Sequence, residues 1–147
     1  MTDKTRWDLY LEGGFKIPAT DTFGFEYVGG GGKGEQDGGG HDEPRFRWTV
    51  PEEYCNSAGN LQGGVLAAFA DAVLGATCAA HIPADFYPAL AEMKVSFLRP
   101  APSGTTITGT GRMVKSGKRL LFVEADITDG DGNLIAKVSG TEIPAEA

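Results

Sequence analysis

The longest helical pattern in the chain covers residues 61–80. An apolar stripe at helical spacing predicts the side that packs on the core, and it consists of Val65, Phe69, Val73 and Ala76 or Ala80. Asn60 is a favourable N-cap residue type, and Pro83 lies where it would stop the helix. The other side carries small residues around one acid, namely Gly64, Ala67, Ala68, Asp71, Gly75 and Cys78. We expect this side to admit the close approach of another backbone.

Alternating apolar and polar residues predict strands before and after this helix. The predicted strands cover residues 23–28, 45–50, 91–99, 105–115, 119–128 and 134–143. A loop containing Pro83 and Pro88 is predicted before the third strand, and the spacing of Gly109 and Gly111 indicates a bend or bulge in the fourth. One long helix followed by strands with short turns predicts an α+β fold, in which an antiparallel sheet wraps around a central helix.

Two further segments are weakly patterned. Residues 1–22 are predicted to form an N-terminal extension that packs on a domain at 23–147, and Trp7, Tyr10 and Leu11 favour a short amphipathic helix within it. Residues 29–40 contain eight glycines in twelve positions and are predicted to form a hairpin loop. This stretch lacks the Gly-Lys-Ser/Thr ending of a phosphate-binding loop, so nucleotide binding there is not expected.

Composition narrows the classes of partner. The 147 residues carry a formal charge of −7, which argues against nucleic acid and against an anionic membrane surface. Cys55 and Cys78 are too few for a disulfide framework and are predicted to be free thiols. His41 and His81 have no second histidine or cysteine at ligand spacing, so no metal is expected. Since no segment reads as a signal peptide or a membrane span, we expect a cytoplasmic protein.

Asp71 is the most informative residue. An acid within so apolar a helix needs a partner or takes a raised pKa. Gly63 and Gly64 are unusual at a helix start unless something must approach the backbone N–H groups there, and such groups favour negative charge. Together these features predict an oxyanion site and a carboxylate that act on one substrate.

The spacing of these groups predicts self-association. Gln62 and Asp71 are nine positions apart, which places them roughly 13–14 Å apart and on opposite sides of one helix. They cannot converge within one chain. If both act on one substrate, the second must come from another subunit related by a two-fold axis. We therefore expect a homodimer or a dimer of dimers.

The same stretch resembles the hotdog-fold acyl-CoA thioesterases, particularly their PaaI-like branch. The family pattern is an asparagine, five residues, His-Gly-Gly, and an acid nine positions after the histidine. This chain has Asn56, then Gln62, Gly63 and Gly64, then Asp71 in matching register. Residues 113–143 also resemble the last strands of that family, so the likeness covers roughly residues 23–143. The resemblance implies a hotdog fold and acyl-CoA hydrolysis.

The resemblance also implies roles for residues. Asp71 would be the general base for water or the nucleophile, and the Gly63 N–H would hold the thioester oxygen. Asn56 would bind that carbonyl or the catalytic water, and Gln62 would donate to the oxygen or orient it. Gln62 replaces the usual histidine, as in relatives of 4-hydroxybenzoyl-CoA thioesterase. Leu90 stands where some relatives have a serine or threonine that positions water.

Substrate contacts are predicted next to these groups. The candidates for the coenzyme A phosphates are Arg99 and a basic turn, which is a candidate by its charge and by the exposure of its backbone N–H groups: Lys115, Ser116, Gly117, Lys118 and Arg119. Gly64 would accompany Gly63, and Leu90 could line the acyl pocket with Phe86 and Tyr87. No cofactor is expected beyond the coenzyme A of the substrate. Two alternatives stay open: a non-catalytic acyl-CoA-binding or sensor protein, and a hotdog hydratase or dehydratase.

Overall fold

The computed structural model describes residues 3–31 and 43–147. Its elements in chain order are α1 (Arg6–Leu11), α2 (Pro18–Phe23), β1 (Glu26–Gly29), β2 (Arg45–Thr49), a 3₁₀ turn (Glu52–Tyr54), α3 (Gly63–Ala79), β3 (Phe86–Phe97), β4 (Thr106–Ser116), β5 (Leu121–Thr128) and β6 (Leu134–Glu146). Within the described residues, six strands form one sheet in the order β1-β2-β4-β5-β6-β3, and every neighbouring pair is antiparallel. The predicted α+β arrangement of a sheet around one long helix is confirmed.

The core lies between α3 and the sheet. The inward positions of β5 alternate as predicted, and they are Leu121, Val123, Ala125 and Ile127, all buried. From α3, Phe69 and Val73 are fully buried against this face. In β2, Phe46 and Trp48 face inward while Arg47 and Thr49 are exposed, which confirms the predicted alternation.

The glycines of β4 let α3 approach the sheet. A side chain at Gly109 would place its Cβ 2.5 Å from Val73 Cγ2 and 3.0 Å from Phe69 Cε1, and one at Gly111 would collide with Thr77. The register shift of β4 lies between Met113 and Lys115, so the bulge in this strand is not at the glycines, and the predicted bend stays a prediction. The glycines are needed for packing against the helix instead.

This contact gives a stability prediction. Gly109→Ala is expected to lower the free energy of unfolding by about 1–3 kcal/mol, since the new methyl group overpacks a closed core. Gly130→Ala is the matched control, because nothing lies within 4 Å of its added Cβ. Urea titration of both variants measures the difference, and equal midpoints would contradict this account of Gly109.

The start of α3 differs from the prediction. The helix begins at Gly63 with Gln62 as N-cap, and no side chain caps it. Asn60 is not the cap, because its N–H and carbonyl both bond to Asn56 in the preceding loop. Cys78, on the small-residue side of the predicted helix, is completely buried.

Two strand predictions need correction. Phe23 ends α2 rather than starting a strand, and β1 begins only at Glu26. Pro18 at the first turn and Gly24 in the left-handed conformation mark the ends of this short helix. Pro88 lies within β3 rather than in a loop, which a sheet tolerates because β3 is an edge strand in the described residues.

The N-terminal extension is anchored by α1. The Thr5 side chain caps α1 and forms a capping box with Asp8. Trp7 is buried and makes edge contacts with the rings of Tyr27 and Phe46. The predicted boundary between 22 and 23 falls inside α2, and most of the glycine-rich hairpin predicted at 29–40 lies outside the described residues. No helix among residues 3–31 and 43–147 has the length and apolarity to cross a bilayer.

Candidate active site

The loop before α3 fixes Asn56. Its side-chain Oδ1 accepts hydrogen bonds from the N–H groups of Ala58 (3.0 Å) and Asn60 (3.2 Å), and its backbone N–H donates to the Asn60 carbonyl (2.7 Å). Gly59 closes this turn with a φ of 79°. Since Oδ1 is committed to the loop, the amide N–H₂ is the part of Asn56 that is left to bind a ligand.

Asn56 and Gly63 share one groove. This groove has a volume of about 380 Å³ and lies between the loop, the start of α3 and the end of β3. Its lining includes Asn56, Gly63, Phe97, Leu98 and Arg99. The structure thus brings together three residues that were predicted from sequence. Asn56 and Gly63 were predicted to bind the thioester carbonyl, and Arg99 was predicted to bind coenzyme A.

Gly63 is the first residue of α3, so its N–H has no acceptor within the helix. The positive end of the helix dipole strengthens the attraction of this N–H for a negatively charged oxygen. A Cβ on Gly63 would lie 3.4 Å from the Phe97 ring, whereas Gly64 is exposed with nothing within 4 Å of an added Cβ. Gln62 is exposed, and its backbone N–H donates to the Tyr54 carbonyl (2.9 Å). The backbone at the start of α3 is therefore open to a ligand.

Asp71 lies in a different cavity of the same chain. This cavity has a volume of about 420 Å³ and is enclosed by α3, the N-terminal extension and the start of β3. Its walls are mainly apolar and aromatic, and include Phe15, Phe23, Phe25, Ala72, Gly75 and Tyr87. The Asp71 side chain reaches solvent at the mouth, yet the surrounding protein displaces enough water to raise the pKa of its carboxyl group.

The predicted substrate contacts are divided between the two ends of the sheet. Ser116 pairs with Leu121, Leu121 with Glu142, and Glu142 with Leu90, so the basic turn and Leu90 lie at one end. Phe97 pairs with Ala136 at the other end, where Arg99 follows β3. Within one chain, Arg99 is grouped with Gly63 and not with the basic turn.

The basic turn differs in one respect from the prediction. Lys115, Lys118 and Arg119 are exposed, as a phosphate contact requires. The Gly117 N–H, however, already donates to the Leu120 carbonyl (3.0 Å), so it is not an open backbone donor. Any anion binding at this turn would therefore depend on the side chains.

One buried acid was not among the predicted residues. Glu142 of β6 is 1% exposed, and it lies near Cys78 of α3. Burial raises the pKa of Glu142 to about 7; the Cys78 hydrogen bond opposes this rise, and the charge of Asp71 adds to it. The alternation of β6 could have revealed this acid, because Glu142 lies an even number of positions after the buried Val138.

Comparisons with known proteins identify sequences and structures that are similar to this chain. A family model described as "Thioesterase superfamily" matches residues 58–136. Acyl-coenzyme A thioesterase 13 of Homo sapiens is 33% identical over 90 residues, which cover 60% of this chain and 63% of that protein. The chain thus spans less than two thirds of the length of this relative.

Solved structures share the fold. The E. coli PaaI protein from the phenylacetic acid degradation operon has a TM-score of 0.80 and 18% identity, and the match covers 97% of this chain and 94% of that one. A Streptococcus mutans protein bound to acetyl CoA has a TM-score of 0.69 and 18% identity, covering 83% of this chain and 89% of that one. At these identities the likeness establishes the hotdog fold alone.

Proposed function

Because the chain belongs to the thioesterase superfamily, we propose that it hydrolyses acyl-CoA thioesters to a free acid and coenzyme A. The observation that carries this proposal is the pair of sites on α3. One offers a backbone N–H at a helix start beside Asn56, with no hydrogen-bond acceptor among the described residues, and the other offers a carboxylate with a raised pKa at the mouth of an apolar cavity. Acyl transfer needs both an oxyanion donor and a proton acceptor.

The proposed reaction is a single hydrolysis. Asp71 removes a proton from water as the water oxygen bonds to the thioester carbonyl carbon. The Gly63 N–H, with the Asn56 amide, stabilises the negative charge that develops on the carbonyl oxygen. The C–S bond then breaks, and the departing coenzyme A sulfur takes the proton held by Asp71. The raised pKa supports Asp71 in this role, because it makes the carboxylate a better base than it is in bulk water.

A complete site in this proposal needs two subunits, and β3 supports such an assembly. The Asp71 cavity reaches Tyr87 and Pro88 at the start of β3, whereas the Gly63 groove reaches Phe97 at its end. If two β3 strands paired antiparallel about a two-fold axis, the start of one would lie beside the end of the other. Asp71 of one subunit would then approach Gly63 of its partner.

The surface of β3 favours the same assembly. It is an edge strand of 12 residues in the described part of the chain, with a row of backbone groups open to pairing. Large apolar side chains in β3 and directly after it are each at least 40% exposed: Tyr87, Leu90, Phe97 and Leu98. A second copy of the chain would cover both the backbone edge and this apolar surface.

The Asp71 cavity is the proposed site of the acyl group. Its volume falls in the range of about 300–1,000 Å³ that is usual for small-molecule sites, and its walls offer apolar contact. In the assembled site, Arg99 on the Gly63 side and the basic turn on the other chain are candidates for the coenzyme A phosphates. Both would lie outside the apolar cavity, where charged groups stay hydrated.

A turnover screen tests the proposal. We expect the protein to release free thiol from acyl-CoA esters, with kcat/KM rising about fourfold per methylene until the cavity is filled. Short, medium, long and aryl acyl-CoAs are compared with a thiol-detecting reagent, and the free acid is identified by mass spectrometry. Tight acyl-CoA binding without thiol release would overturn hydrolysis and favour the sensor alternative. Water addition to an enoyl-CoA without thiol release would favour the hydratase.

A further inference from the structure

Glu142 is a buried acid that the proposed reaction does not use. It is 1% exposed, and its Oε2 has no hydrogen-bond partner among the described residues. A buried carboxyl group with an unpaired oxygen costs free energy, most of all when it is ionised. Such a group therefore calls for a reason beyond packing.

The surroundings of Glu142 join it to the candidate active site. Its sheet neighbours are Leu90 of β3 and Leu121 of β5, which are both apolar. From α3, hydrogen bonding by the Cys78 thiol lowers the pKa of Glu142, and the charge of Asp71 raises it. Asp71 and Cys78 are seven positions apart, which places them on one side of the helix. Glu142 thus faces the side of α3 that carries Asp71.

A second acid, Glu43, also acts on Cys78. Glu43 adds negative charge to the surroundings of the thiol, and its Oε1 lies 2.8 Å from His81 Nε2 just after α3. Burial, Glu142 and Glu43 all raise the pKa of Cys78, so the thiol keeps its proton and acts as a donor. The titratable groups that act on Glu142 are therefore a neutral thiol and Asp71.

We propose that Glu142 is a positioning residue for the reaction at Asp71, and that it carries its proton while Asp71 is ionised. This inference rests on the proposed function. When the surroundings of two neighbouring carboxyl groups set their pKa values apart, one group can stay protonated while the other is ionised. The pair then carries a single negative charge, and the two groups do not repel each other. With Glu142 neutral, Asp71 stays ionised and accepts the proton of water, and no second charge opposes the developing oxyanion.

The proposal predicts an alkaline limb in the pH dependence of hydrolysis. The pKa of Glu142 lies at about 7, so ionisation above that pH places a second negative charge beside Asp71. One such charge near the reacting atoms is expected to lower kcat/KM roughly tenfold. Asp71 itself accounts for the acid limb, because its protonated form cannot act as a base.

The test is the pH profile of kcat/KM from about pH 5.5 to about pH 9, with the uncatalysed hydrolysis subtracted. Glu142→Gln keeps the shape of the neutral acid and is expected to lose the alkaline limb while it retains the acid limb. Glu26→Gln, an exposed acid on β1 at the opposite end of the strand order from β3, is the matched control and should keep the parent profile. An alkaline limb that persists unchanged in Glu142→Gln would overturn the proposal.

Two variants of Cys78 keep the test decisive even if Glu142→Gln fails to fold. The Cys78 hydrogen bond lowers the pKa of Glu142, so Cys78→Ala should move the alkaline limb to higher pH. Cys78→Ser retains a donor and should restore the parent position. A merely structural role for Glu142 would change stability in these variants and leave the limb in place, which would contradict the proposal.

Failure of this inference and failure of the proposed function give different results. If Asp71→Asn abolished hydrolysis while the alkaline limb persisted in Glu142→Gln, the proposed function would stand and the role of Glu142 would fall. If Asp71→Asn hydrolysed acyl-CoA at the parent rate, the proposed function itself would fall.

Discussion

Asp71→Asn is expected to lower kcat/KM for acyl-CoA hydrolysis by about 10²–10⁴-fold. The amide has nearly the size of the carboxylate, but it cannot accept a proton from water. Because Asp71 lies at the mouth of its cavity rather than in the core, the fold should survive the change. Thiol release measures the loss. Asp85→Asn, an exposed acid before β3, is the control and should hydrolyse at the parent rate.

A variant of Gly63 tests the proposed oxyanion donor equally specifically. Gly63 is the first helical position, where proline is favourable, and the dihedrals of Gln62 (φ −59°, ψ 133°) suit a residue before proline. Gly63→Pro therefore removes the N–H with little strain on the helix, and a loss of about 10²–10³-fold is expected. Gly63→Ala keeps the N–H and should retain most of the activity.

Mixing the two deficient chains tests whether the site is shared. In a hybrid dimer of Asp71→Asn and Gly63→Pro subunits, one site would combine the intact Asp71 with the intact Gly63. Random pairing should then restore about a quarter of the parent activity, whereas each variant alone stays inactive. Co-expression with two affinity tags isolates the hybrid. A hybrid as inactive as its parents would rule out the two-subunit site.

The fold was largely predictable because its strongest signals are local and periodic. Periodic apolar positions indicate the buried face of an element from the local sequence alone. This holds for Phe69 and Val73 on the helix and for Phe46 and Trp48 on the strand, all of which are buried. The errors arose where two signals competed. Aromatic residues suggested a strand at Phe23, although Pro18 and Gly24 already marked the ends of a short helix. Pro88 suggested a loop because the edge position of β3 depends on the whole sheet.

The candidate site was predictable only in part, for a related reason. Local spacing placed Gly63 at a helix start and placed Asp71 on a different side of the same helix. The surroundings of Asp71 come from distant segments, such as Phe15 of the extension and Tyr87 of β3, and no local pattern reports such contacts. The charges that act on Cys78 likewise include Glu142, which is 64 positions away.

Glu142 should also make stability depend on pH. Its pKa is about 7 in the folded protein, compared with 4.5 for an ordinary glutamate, so the folded state binds the proton more tightly. The contribution to the free energy of unfolding is fully present below about pH 4.5 and is lost as pH rises through about 7. At about 1.4 kcal/mol per pH unit, the loss amounts to about 3 kcal/mol.

Glu142→Gln isolates this contribution, because every other titrating group is common to both proteins. Relative to the parent, the variant is expected to gain about 3 kcal/mol of stability between about pH 4.5 and about pH 8. Urea unfolding at fixed protein concentration measures the difference, since association would otherwise shift the midpoints. A constant difference across this range would mean that Glu142 titrates near its ordinary pKa. In that case the buried carboxyl group would be ionised at neutral pH, and a second charge would already stand beside Asp71.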